Sequence, residues 1–264
     1  MTFLDLVLFG DPVGHSLSPV IQQAALDATG LEGNYRAIRV DADGFRRGCA
    51  DLRTGRLHGA NVTMPHKRLA AAETDERSPG AERSKSVNTI VVEGSRLIGH
   101  NTDINGVQQV WQESGWSEEA PVLVLGAGGA AAAALIGLET HKLALASRRR
   151  ASAQKLVEEI DVSVDLVPWG TALPGAVVVN ATPLGMGGES LPSGVVEESA
   201  GLLDMAYRRG NTPAVEAAAR LSLPHATGTD LLVAQAAGSF FLWTGLPAPA
   251  EQMRAALQKA QATG

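Results

Sequence analysis

Short apolar runs bounded by glycine, proline and serine recur along this chain, and between them alanine and leucine return at helical spacing. Residues 3–9 read as a strand. Ser18-Pro19 then offers a cap followed by proline at the first helical position, and Gly30 stops that helix after Ala24, Ala25 and Leu26. Residues 35–40, 59–63 and 87–93 are further strands, the last turning at Gly94 into 96–99 as a hairpin. The first third therefore predicts an α/β sheet with an antiparallel element.

From Val122 the rhythm becomes regular: strand 122–125, helix 130–138, strand 143–146, helix 151–160, then strands near 162–167 and 177–180. Alternation of this kind builds a parallel sheet with helices on both faces. Residues 211–221 and 231–257 read as helical and are rich in alanine. No internal repeat or low-complexity linker interrupts the pattern. The boundary is placed near Asn101-Thr102, with residues 1–101 and about 236–264 in one domain and 102–235 in the other, so that the final helices return to the first domain.

Composition narrows the classes. With 264 residues, 45% hydrophobic and 19% charged, the chain is globular and long enough for two ordinary domains. Its 22 basic and 28 acidic side chains leave a net charge of −6, which argues against a nucleic-acid or membrane-surface partner. Cys49 is the single cysteine, so no intrachain disulfide forms and a reducing compartment is favoured; the residue is expected to be a small buried hydrophobe. Met1–Leu6 has no basic region and includes Asp5, unlike a signal peptide. The longest apolar run, 130–138, is far short of the roughly 18 residues a membrane span needs. A cytoplasmic protein, monomer or homodimer, is expected.

Val122-Leu123-Val124-Leu125 leads into Gly126-Ala127-Gly128-Gly129-Ala130-Ala131, a G-x-G-x-x-A turn between a strand and a helix. Gly126 permits the tight turn, Gly128 lets backbone approach a pyrophosphate, and Ala131 allows close helix–strand packing. The helix start presents N–H groups to the phosphates. This predicts a Rossmann-type, doubly wound dinucleotide-binding domain. About twenty residues on, Ser147-Arg148-Arg149-Arg150 stands where a NAD-binding chain usually has an acid for the ribose 2′-hydroxyl. Positive charge at a helix start is unfavourable against the dipole, and a bound 2′-phosphate is one explanation, with a solvated basic run as the alternative. NADP is expected in preference to NAD.

Four segments of the first domain carry polar residues that a plain core would not want. Ser16 and Ser18, two residues apart beside a helix start, suit a carboxylate, although Ser18 could serve as a cap. Asn61 and Thr63 alternate with Val62 and point to one side; Pro65 then stops the strand and brings Lys67 to the start of the next segment. Asn88-Thr89 and Asn101-Thr102-Asp103 complete the set. Such amides and hydroxyls donate and accept, as a polyhydroxylated substrate requires. On residues alone, Lys67 could be a solvated lysine and Asp103 an N-cap for a helix 104–111. His66 reads as a packing or surface histidine and His15 as a loop-ordering one. No cluster has metal-ligand spacing, so no metal is expected.

Taken in order, S-x-S-P, N-V-T-x-P-x-K, V-N-T, N-T-D, the glycine-rich turn, Asn180-Ala181-Thr182-Pro183-Leu184-Gly185-Met186, Asp204-Met205-Ala206-Tyr207 and Gly228 to Ala237 resemble the shikimate dehydrogenase family over nearly the whole chain. The resemblance implies reversible reduction of 3-dehydroshikimate to shikimate with NADPH. It gives Ser16, Ser18 and Tyr207 to the substrate carboxylate, and Asn61, Thr63, Asn88, Asp103 and Gln235 to the ring hydroxyls. Lys67 becomes the general acid and base, with Asp103 orienting it. Gly126, Ala127, Gly128, Gly129, Ala130, Ser147, Arg148, Arg149, Thr182, Met205 and Gly228 would hold the cofactor. Ser18, rather than threonine, resembles the shikimate branch instead of the quinate-accepting one.

Two stretches depart from the family pattern. Ser147, Arg149 and Ser152 replace its usual N-R-T and following basic residue, and Lys85-Ser86 replaces Gly-Ala before V-N-T. The alternatives are a quinate or aminoshikimate dehydrogenase and a catalytically silent NADP-binding regulator.

Overall fold

The computed structural model describes residues 3–263. By its internal contacts the chain divides into two units, one comprising the chain up to Thr102 together with everything from Val233 onward, the other Asp103–Leu232.

The first unit is built on β1 (Leu4–Gly10), α1 (Ser18–Thr29), β2 (Gly33–Arg39), α2 (Ala42–Arg53), β3 (Gly59–Val62), α3 (Lys67–Glu73), β4 (Glu76–Arg77), α4 (Pro79–Ser84), β5 (Thr89–Glu93) and β6 (Arg96–His100). Its six strands lie in the order β2-β1-β3-β5-β6-β4. β2 and β3 flank β1 in parallel, whereas β5 runs antiparallel to β3 and β6, which is the expected hairpin turning at Gly94. Val7, Phe9, Phe45, Leu52, Ile90 and Leu97 are buried together in its core. Gly30, with φ +68°, caps α1 in the left-handed conformation that glycine adopts without a steric penalty.

α2 is not evident from the apolar pattern, although Phe45, Cys49 and Leu52 recur at helical spacing and are all buried. Its arginines and glycines dilute the apolar signal. Asp41 caps it by accepting from the Gly44 N–H at 2.7 Å.

The second unit starts within α5 (Thr102–Ser114), which begins two residues earlier than the sequence suggests. It continues through β7 (Val122–Leu125), α6 (Gly129–Gly137), β8 (Leu143–Ala146), α7 (Arg150–Ile160), β9 (Asp165–Val167), β10 (Val177–Asn180), β11 (Gly201–Asp204), α8 (Pro213–Arg220) and β12 (His225–Ala226). All six strands are parallel, in the order β12-β11-β10-β7-β8-β9. Numbered within the unit this is the doubly wound 3-2-1-4-5-6 arrangement, with its topological switch between β7 and β10. β7, β8, β10 and β11 are buried at every residue, as strands covered on both faces must be.

α9 (Gly228–Thr244) crosses the division between the units, and α10 (Ala250–Thr263) packs against α1 in the first. The single helical stretch expected over 231–257 is thus two helices. Gly245, with φ +69°, and the prolines at 247 and 249 break it.

Candidate active site

The polar residues of the first unit gather at one end of its sheet. Phe9 pairs with Val62 near the ends of parallel β1 and β3, so the loops that follow leave from the same edge. Antiparallel β5 starts there with Thr89 opposite Asn61, and β6 ends there with His100 opposite Thr89. The loop after β1 carries Ser16 and leads to Ser18. The loop after β3 carries Thr63 and leads to Lys67, while Asn88 immediately precedes β5. Each of the two loops contains a cis X–Pro bond, Asp11-Pro12 and Met64-Pro65.

α1 opens without a side-chain cap: Leu17 occupies the cap position and Ser18 is the first helical residue. The capping role that the sequence allowed for Ser18 is therefore not realised, because its hydroxyl sits inside the helix. Ser16 Oγ accepts from the Ser18 N–H at 3.2 Å, and the Ser18 hydroxyl has no protein partner among the described residues. Two hydroxyls and an uncapped helix start are suited to an anionic oxygen. The Thr63 hydroxyl is also left without a protein partner among the described residues, in a half-buried position.

Asn61 differs. Its Oδ1 accepts from Tyr35 Oη at 2.7 Å, and its Nδ2 lies 3.0 Å from each of three acceptors, the Asn88 carbonyl, Thr89 Oγ1 and Ser239 Oγ. Three acceptors for two hydrogens leave no N–H over for a substrate hydroxyl. Asn88 is held by its Oδ1, which accepts from the Thr102 N–H at 2.8 Å. Gln235 stands on α9, with its Oε1 3.5 Å from Thr102 Oγ1.

Lys67 is half-buried at the first position of α3, and its carbonyl accepts from the Val87 N–H at 3.0 Å, next to Asn88. His66 before it is a packing residue: it stacks on Phe45 with ring centroids 5.6 Å apart, and its Nε2 lies 2.8 Å from the Val40 carbonyl. His15 is exposed. Asp103 lies in the first turn of α5 rather than capping it, where a carboxylate complements the helix dipole.

In the second unit the glycine-rich turn lies at the topological switch. Gly126 has φ +122°, and a Cβ there would meet the Ala181 carbonyl oxygen at 2.7 Å, so only glycine fits. Gly128 caps α6 with no side-chain bond, and a Cβ on it would meet nothing within 4 Å. Open space above an uncapped helix start fits a pyrophosphate. Arg149 caps α7 in the same bare manner. Arg148, Arg149 and Arg150 are exposed, and no acid pairs with them among the described residues.

Asn180, Thr182, Asp204 and Thr212 form a second anchored cluster. Asn180 Nδ2 donates to Asp204 Oδ1 at 2.8 Å, and Thr182 Oγ1 donates to Asn180 Oδ1 at 2.6 Å. The Ala206 N–H donates to Asp204 Oδ1 at 3.1 Å, and Thr212 Oγ1 donates to Oδ2. Burial raises the Asp204 pKa, with the hydrogen bonds from Thr212, Asn180 and Ala206 opposing. Asp204 thus ties the loops after β10 and β11, which carry Thr182, Met205 and Tyr207. The sequence motif includes Asp204 without indicating this role; a lone acid closing the apolar run Leu202-Leu203 was the available signal. Gly228 is a glycine because a Cβ there would meet the Ala206 and Met205 carbonyl oxygens at 2.6 and 2.8 Å.

A parallel sheet of this order with a glycine turn at its switch, joined in one chain to an α/β unit that collects hydroxyls and amides at a sheet edge, defines a dinucleotide-dependent dehydrogenase of small polar substrates. The chain belongs to the shikimate dehydrogenase family. Residues 8–90 match the shikimate dehydrogenase substrate binding domain, and residues 228–258 match the shikimate 5'-dehydrogenase C-terminal domain. A shikimate dehydrogenase (NADP(+)) of Desulforamulus reducens is 33% identical, over 97% of this chain and 95% of its own. The Thermus thermophilus shikimate 5-dehydrogenase, solved in complex with NADP(H) and shikimate, superposes with a TM-score of 0.90 at 33% identity, covering 97% of this chain and 99% of that one. The Listeria monocytogenes shikimate 5-dehydrogenase, solved with shikimate and NAD, has a TM-score of 0.86 at 27% identity, covering 97% and 96%.

Proposed function

We propose that this protein catalyses the reversible, NADPH-dependent reduction of 3-dehydroshikimate to shikimate, with Lys67 as general acid. The observation that carries the reading is the half-buried lysine at the same sheet edge as the Ser18 and Thr63 hydroxyls, which have no protein partner among the described residues. When bound, NADPH supplies the hydride. The Lys67 ammonium gives its proton to the ketone oxygen as alkoxide character develops there, and in the oxidation the neutral amine takes the hydroxyl proton. Asp103 is assigned the orienting role, as counter-charge to the lysine and acceptor for a ring hydroxyl. Ser16, Ser18 and Tyr207 take the carboxylate, while Thr63, Asn88 and Gln235 read the ring hydroxyls. Asn61 is assigned to support Asn88, and since both its amide hydrogens are engaged it reads a ring hydroxyl only as an acceptor, through the second lone pair of Oδ1.

Gly126, Ala127, Gly128, Gly129 and Ala130 fit the pyrophosphate, and Arg148 and Arg149, beside Ser147, fit a 2′-phosphate. Thr182, Met205 and Gly228 are assigned to the nicotinamide half. Among the described residues no helix is long and apolar enough to cross a membrane. We place the reaction in the cytoplasm.

Initial rates with shikimate, quinate, NADP and NAD test the reading. Turnover is expected with shikimate and NADP; its absence sinks the proposal, and a preference for quinate substitutes the paralogue. Lys67→Ala is expected to lower kcat by about 10²–10⁴, the range for a general acid. Activity within a few-fold of the parent would remove Lys67 from the mechanism.

A further inference from the structure

Six polar side chains are buried side by side under the substrate edge of the first unit: Tyr35, Asn61, Asn88, Thr89, Thr102 and Ser239. Apolar residues of similar volume would fill that space without the risk of an unsatisfied group. Each of the six is instead hydrogen-bonded to another, and the directions of the bonds at Asn61 can be assigned.

The Asn88 carbonyl only accepts, so the Asn61 amide must turn its NH₂ toward it, at 3.0 Å. That orientation points Asn61 Oδ1 at Tyr35 and makes the tyrosine hydroxyl the donor, at 2.7 Å. Burial raises the Tyr35 pKa well above 10.0, so the proton needed for this bond is retained. Ser239 Oγ is a junction. It lies 3.0 Å from Asn61 Nδ2, 2.8 Å from Thr89 Oγ1 and 3.2 Å from Thr102 Oγ1, and it donates to the Gln235 carbonyl of its own helix at 3.2 Å. Thr102 Oγ1 in turn lies 3.0 Å from Asn88 Nδ2. One fully buried hydroxyl therefore keys α9, which carries Gln235, to the residues that hold Asn88.

We propose that Tyr35 and Ser239 are positioning residues for substrate binding, fixing Asn88 and Gln235 through Asn61 and Thr102. Neither touches substrate, and neither belongs to the motifs that define the site. The proposal rests on the reading that Asn88 and Gln235 face the ring hydroxyls. It confines the effect to the substrate, because both residues and all their partners lie in the first unit.

Tyr35→Phe and Ser239→Ala remove one hydroxyl each and add no bulk. Each is expected to raise KM for shikimate about tenfold, the equivalent of one net buried hydrogen bond. In both, kcat and KM for NADP should remain within about threefold of the parent. In an Asn88→Ala background, Ser239→Ala should change KM less than in the parent, since only its route through Gln235 remains. Ser239→Cys, which restores volume without a strong donor, should resemble Ser239→Ala. A fall in Tm with KM for shikimate within twofold of the parent in both single variants would overturn the proposal, leaving a purely structural network. Should one variant fail to fold, the other decides. Failure of the proposed function is recognised separately, as a parent that does not turn shikimate over.

Discussion

Thr63 and Asn61 leave the end of β3 two residues apart, yet only the threonine has a hydrogen-bonding group that no atom of the described residues uses. Thr63→Val is therefore expected to weaken shikimate binding, raising KM about tenfold with little change in Tm. Asn61→Ala should raise KM as well, because it carries the support of Asn88, and should in addition lower stability by about 1–3 kcal/mol, because Tyr35 and Ser239 would each lose a buried partner. Steady-state kinetics beside thermal melts separate the two. Cys49 offers a contrast of another kind. Burial pushes its thiol up to about 12, with Glu73 adding to the shift and Arg53 opposing it. The native protein should resist thiol-specific labelling at pH 8 and react fully once unfolded. The three exposed arginines of 148–150 predict a cofactor effect: Arg148→Ala with Arg149→Ala should raise KM for NADP and leave that for NAD nearly unchanged.

At the scale of elements, the turn at Gly126 and the anchor at Asp204 set how the ends of the β7, β10 and β11 strands are held. Gly126→Ala combines a disfavoured φ with a 2.7 Å approach to the Ala181 carbonyl. It should cost about 1–3 kcal/mol and abolish cofactor binding measured by fluorescence or calorimetry. Much of this layer was legible, because strict strand–helix alternation from Val122 with glycines at fixed offsets seldom arises outside a doubly wound parallel sheet. β11 gives little signal because it is short and follows a long irregular stretch, and β12 because it has only two residues. The α9–α10 break carried its own signal in Gly245-Leu246-Pro247-Ala248-Pro249, outweighed by the apolar residues around it. Site residues named by motif were legible in the sequence. Their supports were not, since Tyr35, Thr102 and Ser239 converge only once three separate segments have paired.

For the whole molecule, pH response follows from groups whose titration differs on folding. Burial lowers the His100 pKa, with Glu93 opposing, and the Arg53 hydrogen bond, aided by the Leu97 N–H, lowers that of Asp75. Both contributions are present at neutral pH and lost on acidification, His100 below about 6.5 and Asp75 below about 3.8. Tyr35 has the opposite sign: its raised value costs stability as pH climbs past about 10. Asp204 also has a raised value, so its charging costs stability as pH rises from about 3.8 and partly offsets the gain from Asp75. A Tm plateau between about pH 6.5 and 9 is expected, since the raised Cys49 thiol already costs stability above about 9, and His100→Gln should flatten the step at its acidic edge. A step of equal size in that variant would assign it to another group.

Lys85 closes α4 with φ +48°, a left-handed conformation in a residue that has a side chain, and its side chain is exposed. The loop before Asn88 therefore carries backbone strain that an amino acid without a Cβ would not. Lys85→Gly is a ready route to a hardier enzyme, expected to gain about 0.5–1 kcal/mol after the extra freedom of glycine in the unfolded chain is counted. For a chain of this size that is a rise of about 1–4 °C in melting temperature. An engineer seeking thermal tolerance would start at this surface position, whose side chain makes no hydrogen bond or ion pair among the described residues.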